Sequence, residues 1–347
     1  MSSLTDVLGI RTPILLGPFG GLSSIPLVAA VSAAGGLGAY GLYGYDGERI
    51  RTTIAGIRAA TRRPFAVNIW LPRGDEVDPG AEHDDFAAAL APFFAEVGVE
   101  VPARPEAYLP SLDEQLGAIL ETAPAVLSVV FDVPSASLVD EAHGRGIRVV
   151  GTATTVAEAR ALAEVGVDAI VATGAEAGGH RVSFLRPAEE SLVGLFSLLP
   201  QVVDAVDVPV IAAGGISDRR GVAAAFALGA QGVQVGTAFL GTAESAANEA
   251  HRAAIRATPA EGTMLTRAMS GRLARGARNR VVAEIEATGS IAPFPAQNWI
   301  TGRFRTAAGQ QNNGELQSLW MGQSASLARY ETAAEAFAEL APGVPSV

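Results

Sequence analysis

The chain has 347 residues, 49% of them hydrophobic and 18% charged, with a net charge of −11. That is enough apolar material for a sizeable core, and no basic run is present to neutralise a nucleic-acid backbone. Cysteine is absent and all 25 basic residues are arginine, which excludes disulfides, thiolate nucleophiles and Cys-ligated metals, and also Schiff-base and P-loop chemistry, which need lysine. No apolar run has the length of a membrane span and the N-terminus lacks a signal-peptide pattern, so the expectation is a soluble, cytoplasmic protein with no membrane or nucleic-acid partner.

In chain order, residues 12–17 form a short apolar run closing on Gly17-Pro18, and residues 25–34 read as a helix stopped by Gly35-Gly36. A strand at 37–41, an amphipathic helix at 49–61 and a strand at 64–70 follow, with Asn68 near the end of the latter. Residues 71–104 are irregular apart from one helix-like block. After a helix at 112–123, the run 125–131 is apolar enough to be buried on both faces. The next strand spans 146–151, and Thr155 with Glu158 matches a capping box that opens a helix ending at Gly166. A strand at 169–172 leads into Gly174-Ala-Glu-Ala-Gly-Gly-His180. Residues 208–213 run into Gly214-Gly215, Ser217 is read as the cap of the helix 218–228, and 232–236 is the last strand.

Eight strands alternating with helices predict a parallel sheet, closed as a (β/α)8 TIM barrel over residues 1–241. Past residue 240 the strand signal stops. Residues 242–312 read as a mostly helical lid or insertion after the eighth strand, including a helix at 244–258 and an Arg-rich, Gly-broken stretch at 263–277. Residues 313–347 read as a C-terminal helix, spanning 316–340, that returns to the barrel wall.

In such a barrel the functional loops follow the C-terminal ends of the strands. Gly17, Pro18, Asn68, Thr152, the 174–180 loop, Gly214-Gly215 and Gly236-Thr237 therefore gather on one face. The last two follow strands seven and eight, where backbone N–H groups commonly grip a phosphate; the ligand would be a phosphorylated cofactor such as FMN. By itself the Gly-Gly-His stretch is either a tight turn with an incidental histidine or the working edge of a site, since histidine is readily tuned to move protons. Gln234 alternates with Val233 and Val235, so one of the two sets faces the barrel core, and a buried amide needs partners. His83, His143 and His251 read as solvated surface groups, with no metal site implied. Tyr43, Phe294 and Trp299 read as core or pocket aromatics. The Arg267–Arg280 segment reads as a homodimer contact, a domain contact or a charged helix.

Five segments occur in order: residues 174–180, 212–216, 233–240, Gly271-Arg-Leu-Ala-Arg275 and Leu319-Trp-Met-Gly-Gln323. Together they resemble the nitronate monooxygenase family, and the first is shared with FMN-dependent enoyl-thioester reductases. The resemblance implies a TIM barrel that binds FMN non-covalently, uses no metal in catalysis, and oxidises a small nitronate or nitroalkane with O₂ to a carbonyl compound and nitrite. It implies that His180 lies at the flavin's reactive edge as the group that takes the α-proton or orients a nitronate. Gly178, Gly179, Gly214, Gly215, Gln234, Gly236 and Thr237 would hold the ribityl phosphate and Asn68 would touch the ring. Thr173 stands where many relatives carry Gln, in the cofactor's neighbourhood. An NAD(P)H-dependent enoyl-thioester reductase and a non-catalytic FMN-binding barrel are the alternative readings.

Overall fold

The computed structural model describes residues 3–80 and 82–345. Nine short strands are distributed along residues 14–235: β1 (Ile14–Leu16), β2 (Gly38–Gly41), β3 (Phe65–Trp70), β4 (Val126–Val130), β5 (Arg148–Ala153), β6 (Ala169–Thr173), β7 (Gly179–His180), β8 (Val210–Ala213) and β9 (Gly232–Val235). All but β7 join one parallel sheet in the order β1-β9-β8-β6-β5-β4-β3-β2, and a parallel bridge between Leu15 and Leu37 brings its two edges together. The result is the expected (β/α)8 TIM barrel, with each of the eight expected strands in place. All five residues of β4 and all five of β6 are buried. Strands between a filled interior and a helical coat have no solvent face, which is why their sequences read as unbroken apolar runs.

Local signals set where the helices begin. Thr155 and Glu158 form the expected capping box at the start of the helix Val156–Glu164, and Gly166 follows it at φ +89°. Asp46 caps Gly47–Ala60 through Arg49 N. Ser217 is not the cap it was expected to be. Asp218 accepts the N–H groups of Arg220 and Gly221 instead, and the Ser217 hydroxyl is free to meet Ser324. Gly151 lets the helix Val156–Glu164 sit close, since a Cβ there would come within 2.6 Å of the Leu162 side chain. Fully burying a side chain such as Leu162 contributes about 1.5–3 kcal/mol.

Beyond β9 the structure departs from the sequence expectation. Helices cover Glu249–Ala257, Arg280–Thr288 and Ala296–Gln310, but the Arg-rich stretch forms two strands, β10 (Thr263–Thr266) and β11 (Ala274–Ala277). They pair antiparallel with each other, and β11 pairs with β7, so Ala274 lies opposite His180. A second hydrophobic cluster, including Phe94, Met269, Val281, Ile285, Ile300 and Phe304, belongs to this insertion. The helices His83–Ala89 and Ala91–Val97, from the long loop after β3, share that core. The helix expected over 316–340 is confined to Ala333–Leu340, which packs on the helix Ile25–Ala34 of the barrel wall. Among the described residues, no helix is long and apolar enough to cross a membrane.

Candidate active site

Strand register decides which side chains meet at the barrel's open end. Partners across a parallel pair share a face, as do residues two apart on one strand. Asn68 pairs with Ser128 and Ser128 with Val150. Thr152 pairs with Val171, Thr173 with Ala213, Ala213 with Gln234, and Gln234 with Leu15. Gly151 faces the helical coat, so this set faces the interior. Asn68, Thr152, Thr173 and Gln234 therefore form a polar ring inside the barrel mouth. Asn68 donates through Nδ2 to the carbonyl and hydroxyl of Ser128, both at 3.2 Å. Its Oδ1, the hydroxyls of Thr152 and Thr173, and the Gln234 amide meet no protein partner among the described residues. Val233 and Val235 are the members of the alternating set that face outward into packing.

Above this ring runs the loop from Gly174 to His180, fastened along its length. The Glu176 carboxylate accepts the Leu195 N–H through both oxygens, at 2.9 and 3.0 Å. Arg275 donates from Nε to the Ala175 carbonyl at 2.9 Å, and Gln323 N donates to Glu176 O at 3.0 Å. Arg181, only 2% exposed, binds the carbonyls of Thr173, Gly174 and Ser191. Glu158 reaches in from the capping box, accepting the N–H groups of Phe184 and Leu185 through Oε1 while Oε2 holds Thr154 and Thr155. A chain segment tied at this many points presents its last residue in a fixed direction.

That residue is His180. Its Nε2 lies 2.8 Å from the Ser270 hydroxyl, and its ring is surrounded by Trp70, Trp320 and Phe131 at centroid distances of 4.8, 5.5 and 6.3 Å. Burial, and then the charges of Arg272 and Arg305, push its pKa down to about 3. The imidazole is neutral at neutral pH and the potential around it is positive. Arg272 is sandwiched between the rings of Phe131 and Phe294 and pairs with Asp75 and Glu76. Arg305 has no carboxylate partner among the described residues. It donates to Ser318 and Asn298, its buried Nε meets nothing, and burial lowers its pKa to about 10. Arg305 is an uncompensated cation whose charge acts on the histidine, an arrangement that favours an anionic guest. A cavity of about 210 Å³ adjoins Trp70, bounded by Tyr43, Leu71, Leu109, Phe294 and Arg272.

The two glycine loops lie where strand order puts them, after β8 and after β9. Gly214 and Gly215 adopt φ of +105° and +71°, a region closed to most side chains. No protein acceptor among the described residues takes the N–H of Gly215, Ile216 or Gly236. Thr237 uses its hydroxyl to accept Gly322 N at 3.0 Å. Gly17 packs on Gly236, where a Cβ would come within 3.1 Å of Gly236 Cα, and Pro18 follows it. Gly178 and Gly179 differ from each other. Gly179 has φ +78° and open space beside it, whereas Gly178 is pressed against Met321-Gly322 of the chain itself. Within the chain, the close neighbour of Gly178 is thus the segment 321–322.

Sequence reasoning missed four residues of this site: Trp70, Phe131, Ser270 and Arg305. A positive φ of 76° at Phe131 is a structural signal with no sequence counterpart. Tyr43 and Phe294 do adjoin the site, but Trp299 packs on His83 and Tyr108 inside the insertion. Two surface histidines prove buried. His83 is 1% exposed and bonded to the Tyr108 hydroxyl, and His251 is 1% exposed with Nε2 on the Trp320 carbonyl. His143 pairs with Asp168 at the surface. Within the Arg267–Arg280 segment, Arg267 pairs with Glu189 and Arg280 with Glu96 of the same chain.

The family profile described as nitronate monooxygenase matches residues 1–343. A Staphylococcus aureus protein named "Probable nitronate monooxygenase" is 39% identical over 327 residues, which cover 94% of this chain and 92% of that protein. Among solved structures, a nitroalkane oxidase from Streptomyces ansochromogenes superposes with a TM-score of 0.87 at 35% identity, over 99% of this chain and 97% of the other. FabK from Thermotoga maritima gives 0.77 at 29% identity, over 99% and 96%.

Proposed function

The chain belongs to the nitronate monooxygenase family and is an enzyme of that type, and on that premise we propose that it binds FMN in the barrel mouth and oxidises small alkyl nitronates with O₂ to carbonyl compounds and nitrite. Two nitronates and one O₂ balance two carbonyl products and two nitrites. The observation that carries the substrate assignment is Arg305, a cation with no carboxylate partner among the described residues, whose field together with that of Arg272 acts on His180.

The cofactor is supported by fit. The unpartnered polar ring of Asn68, Thr152, Thr173 and Gln234 suits the polar edge of an isoalloxazine. The free N–H groups of Gly215, Ile216 and Gly236, after the seventh and eighth barrel strands, suit a phosphate. We assign Gly17, Pro18, Gly178, Gly179, Gly214 and Thr237 to the surrounding cradle. FMN bound there would supply the electron acceptor for the nitronate and the route by which electrons reach O₂.

His180 is the residue we assign to the proton. A neutral imidazole takes the α-proton of a nitroalkane. An arriving nitronate, being negative, instead offsets the two arginines and lets the ring draw a proton from solvent. Either route ends with a protonated His180 facing an anion held by Arg305. The nitronate route is the easier one, because a group whose pKa is about 3 is a weak base toward a C–H acid. The likeness to a nitroalkane oxidase supports retaining the neutral substrate as the slower one. Trp70, Trp320 and Phe131 pack around the ring and fix its orientation.

The test is the visible spectrum of purified protein, followed by anaerobic mixing with propionate 3-nitronate and, separately, with NADPH. We expect a yellow protein that releases FMN on denaturation, bleaches with the nitronate and forms nitrite when O₂ is admitted. Rapid bleaching by NADPH alone would favour the enoyl-thioester reductase reading. A colourless protein that FMN cannot reconstitute would overturn the assignment.

A further inference from the structure

We propose that Ser270 is a positioning residue that holds His180 as its Nε2–H tautomer, leaving Nδ1 as the nitrogen that accepts the substrate's proton. The inference rests on the reading of His180 as the group that handles the proton.

A serine hydroxyl has one proton to give and two lone pairs to receive with. The Ser270 side chain, fully buried, donates its proton to the Arg272 carbonyl at 3.0 Å and accepts the Arg272 N–H at 3.3 Å. That carbonyl has no other donor among the described residues, and a buried carbonyl left unpaired costs about 1–3 kcal/mol. The proton is therefore committed. The 2.8 Å contact with His180 Nε2 must then be a bond that the ring donates and the hydroxyl accepts. A neutral imidazole carries one N–H, so Nδ1 holds the lone pair. Nδ1 has no protein partner among the described residues and is not among the polar atoms sealed from solvent. It is the nitrogen open to a guest.

The turn that carries Ser270 is held by the insertion. On the helix Ala296–Gln310, Gln297 and Thr301 are four residues apart and both buried. Gln297 Nε2 donates to the Ala268 carbonyl and Thr301 Oγ1 to the Met269 carbonyl, both at 2.6 Å. Arg181 N donates to Leu273 O on the other side, tying the same turn to the histidine's strand. The insertion thereby acts on the ring directly, by fixing the acceptor that selects its tautomer.

The test uses the full chain, with and without FMN, labelled with ¹⁵N in its histidines. His180 is assigned by the resonances that vanish in His180→Gln. We expect a protonated Nε2 and an unprotonated Nδ1 across neutral pH in the wild type. In Ser270→Ala the Nδ1–H form should become populated, with a loss of roughly ten- to a hundredfold in kcat and little change in KM. Ser270→Thr, which keeps the hydroxyl, should restore the wild-type ring spectrum. A wild-type ring protonated on Nδ1, or a Ser270→Ala ring with an unchanged tautomer, would overturn the proposal, and the first needs no variant to fold. If His180→Gln instead turns over at the wild-type rate while the tautomer is as expected, the role of His180 fails and the tautomer assignment stands.

Discussion

Trp70 sets the edge of its indole against the imidazole of His180, ring centre to ring centre 4.8 Å at 71°, while the rest of the ring packs on Phe131 and Tyr43 at 4.6 and 4.2 Å. One side chain at the end of β3 thus links the histidine to the aromatic wall of the neighbouring cavity. Trp70→Ala should lower kcat/KM toward short nitronates more than toward long-chain ones, because the vacated space joins that cavity to the site. Its stability cost should be about 2–3 kcal/mol, below the range for a fully buried tryptophan because Trp70 is only partly covered. Steady-state kinetics over a chain-length series and a denaturant titration read the two effects. An equal loss for every chain length would show that the cavity is not continuous with the site.

Gly178 and Gly179 should respond differently to the same alanine substitution. At Gly178 a Cβ would lie 2.5 Å from the Met321 carbonyl carbon and 2.6 Å from Gly322 N, both backbone atoms that cannot rotate away. The loop must move, taking with it the Glu176–Gln323 bond, and flavin retention on gel filtration should fall sharply. At Gly179 the space is open and the penalty is the positive φ alone, about 1 kcal/mol. Gly179→Ala should keep its colour. Equal flavin loss in both variants would show that conformational strain, and not the contact with residues 321–322, governs the loop.

These residues also show where sequence reading succeeds. The eight barrel strands were legible because each is a short, largely apolar run alternating with a helical pattern, and the interior ring of Asn68, Thr152, Thr173 and Gln234 follows from position at strand ends. The small second sheet was not legible. Residues 263–266 and 274–277 show no alternation that separates strand from loop, and β7 is two residues long. Buried His83 and His251 look like any polar residue on an amphipathic helix. What buries them is Tyr108 and the Trp320 carbonyl, 25 and 69 positions away in sequence. Ser270 stands among arginines and glycines, and only the pairing of Ala274 with His180 reveals its use. The Met321-Gly322 segment was visible as a motif, but its physical reason, contact with Gly178, is tertiary.

Glu158 does more than cap a helix. Its carboxylate accepts Thr154 N, Thr154 Oγ1, Thr155 N, Phe184 N and Leu185 N, and it is fully buried. Glu158→Gln puts an NH₂ group where donors already converge, which should cost about 3 kcal/mol. Since Phe184 and Leu185 follow the histidine's strand by only a few residues, the variant should also loosen that strand. Hydrogen exchange at the amides of 181–185 should rise well above wild type. An unchanged exchange rate there, alongside lowered global stability, would confine Glu158 to its capping role.

The buried histidines give the fold an acid-sensitive limb. Burial holds His251 at a pKa of about 4, opposed only partly by its bond to the Trp320 carbonyl, and His180 is held at about 3. An unfolded histidine titrates near 6.5. Below about pH 6.5 the unfolded chain therefore binds protons that the folded chain refuses, and stability falls as pH is lowered toward the folded values. Above pH 6.5 both states are neutral at these sites and the histidines add no slope. For His251 alone, the loss between pH 7 and pH 5 is about 2 kcal/mol, the 1.5-unit span below 6.5 at about 1.4 kcal/mol per unit. His251→Gln keeps an N–H for the Trp320 carbonyl and removes the titration. It should be less stable than wild type at pH 7, with the gap narrowing by about 2 kcal/mol at pH 5. Carboxylates held below their usual range, such as Glu76 and Asp218, titrate alike in both proteins and cancel in that difference. Denaturant unfolding at the two pH values measures it directly, and a gap that stays constant would mean that His251 titrates in the folded chain as it does in the unfolded one.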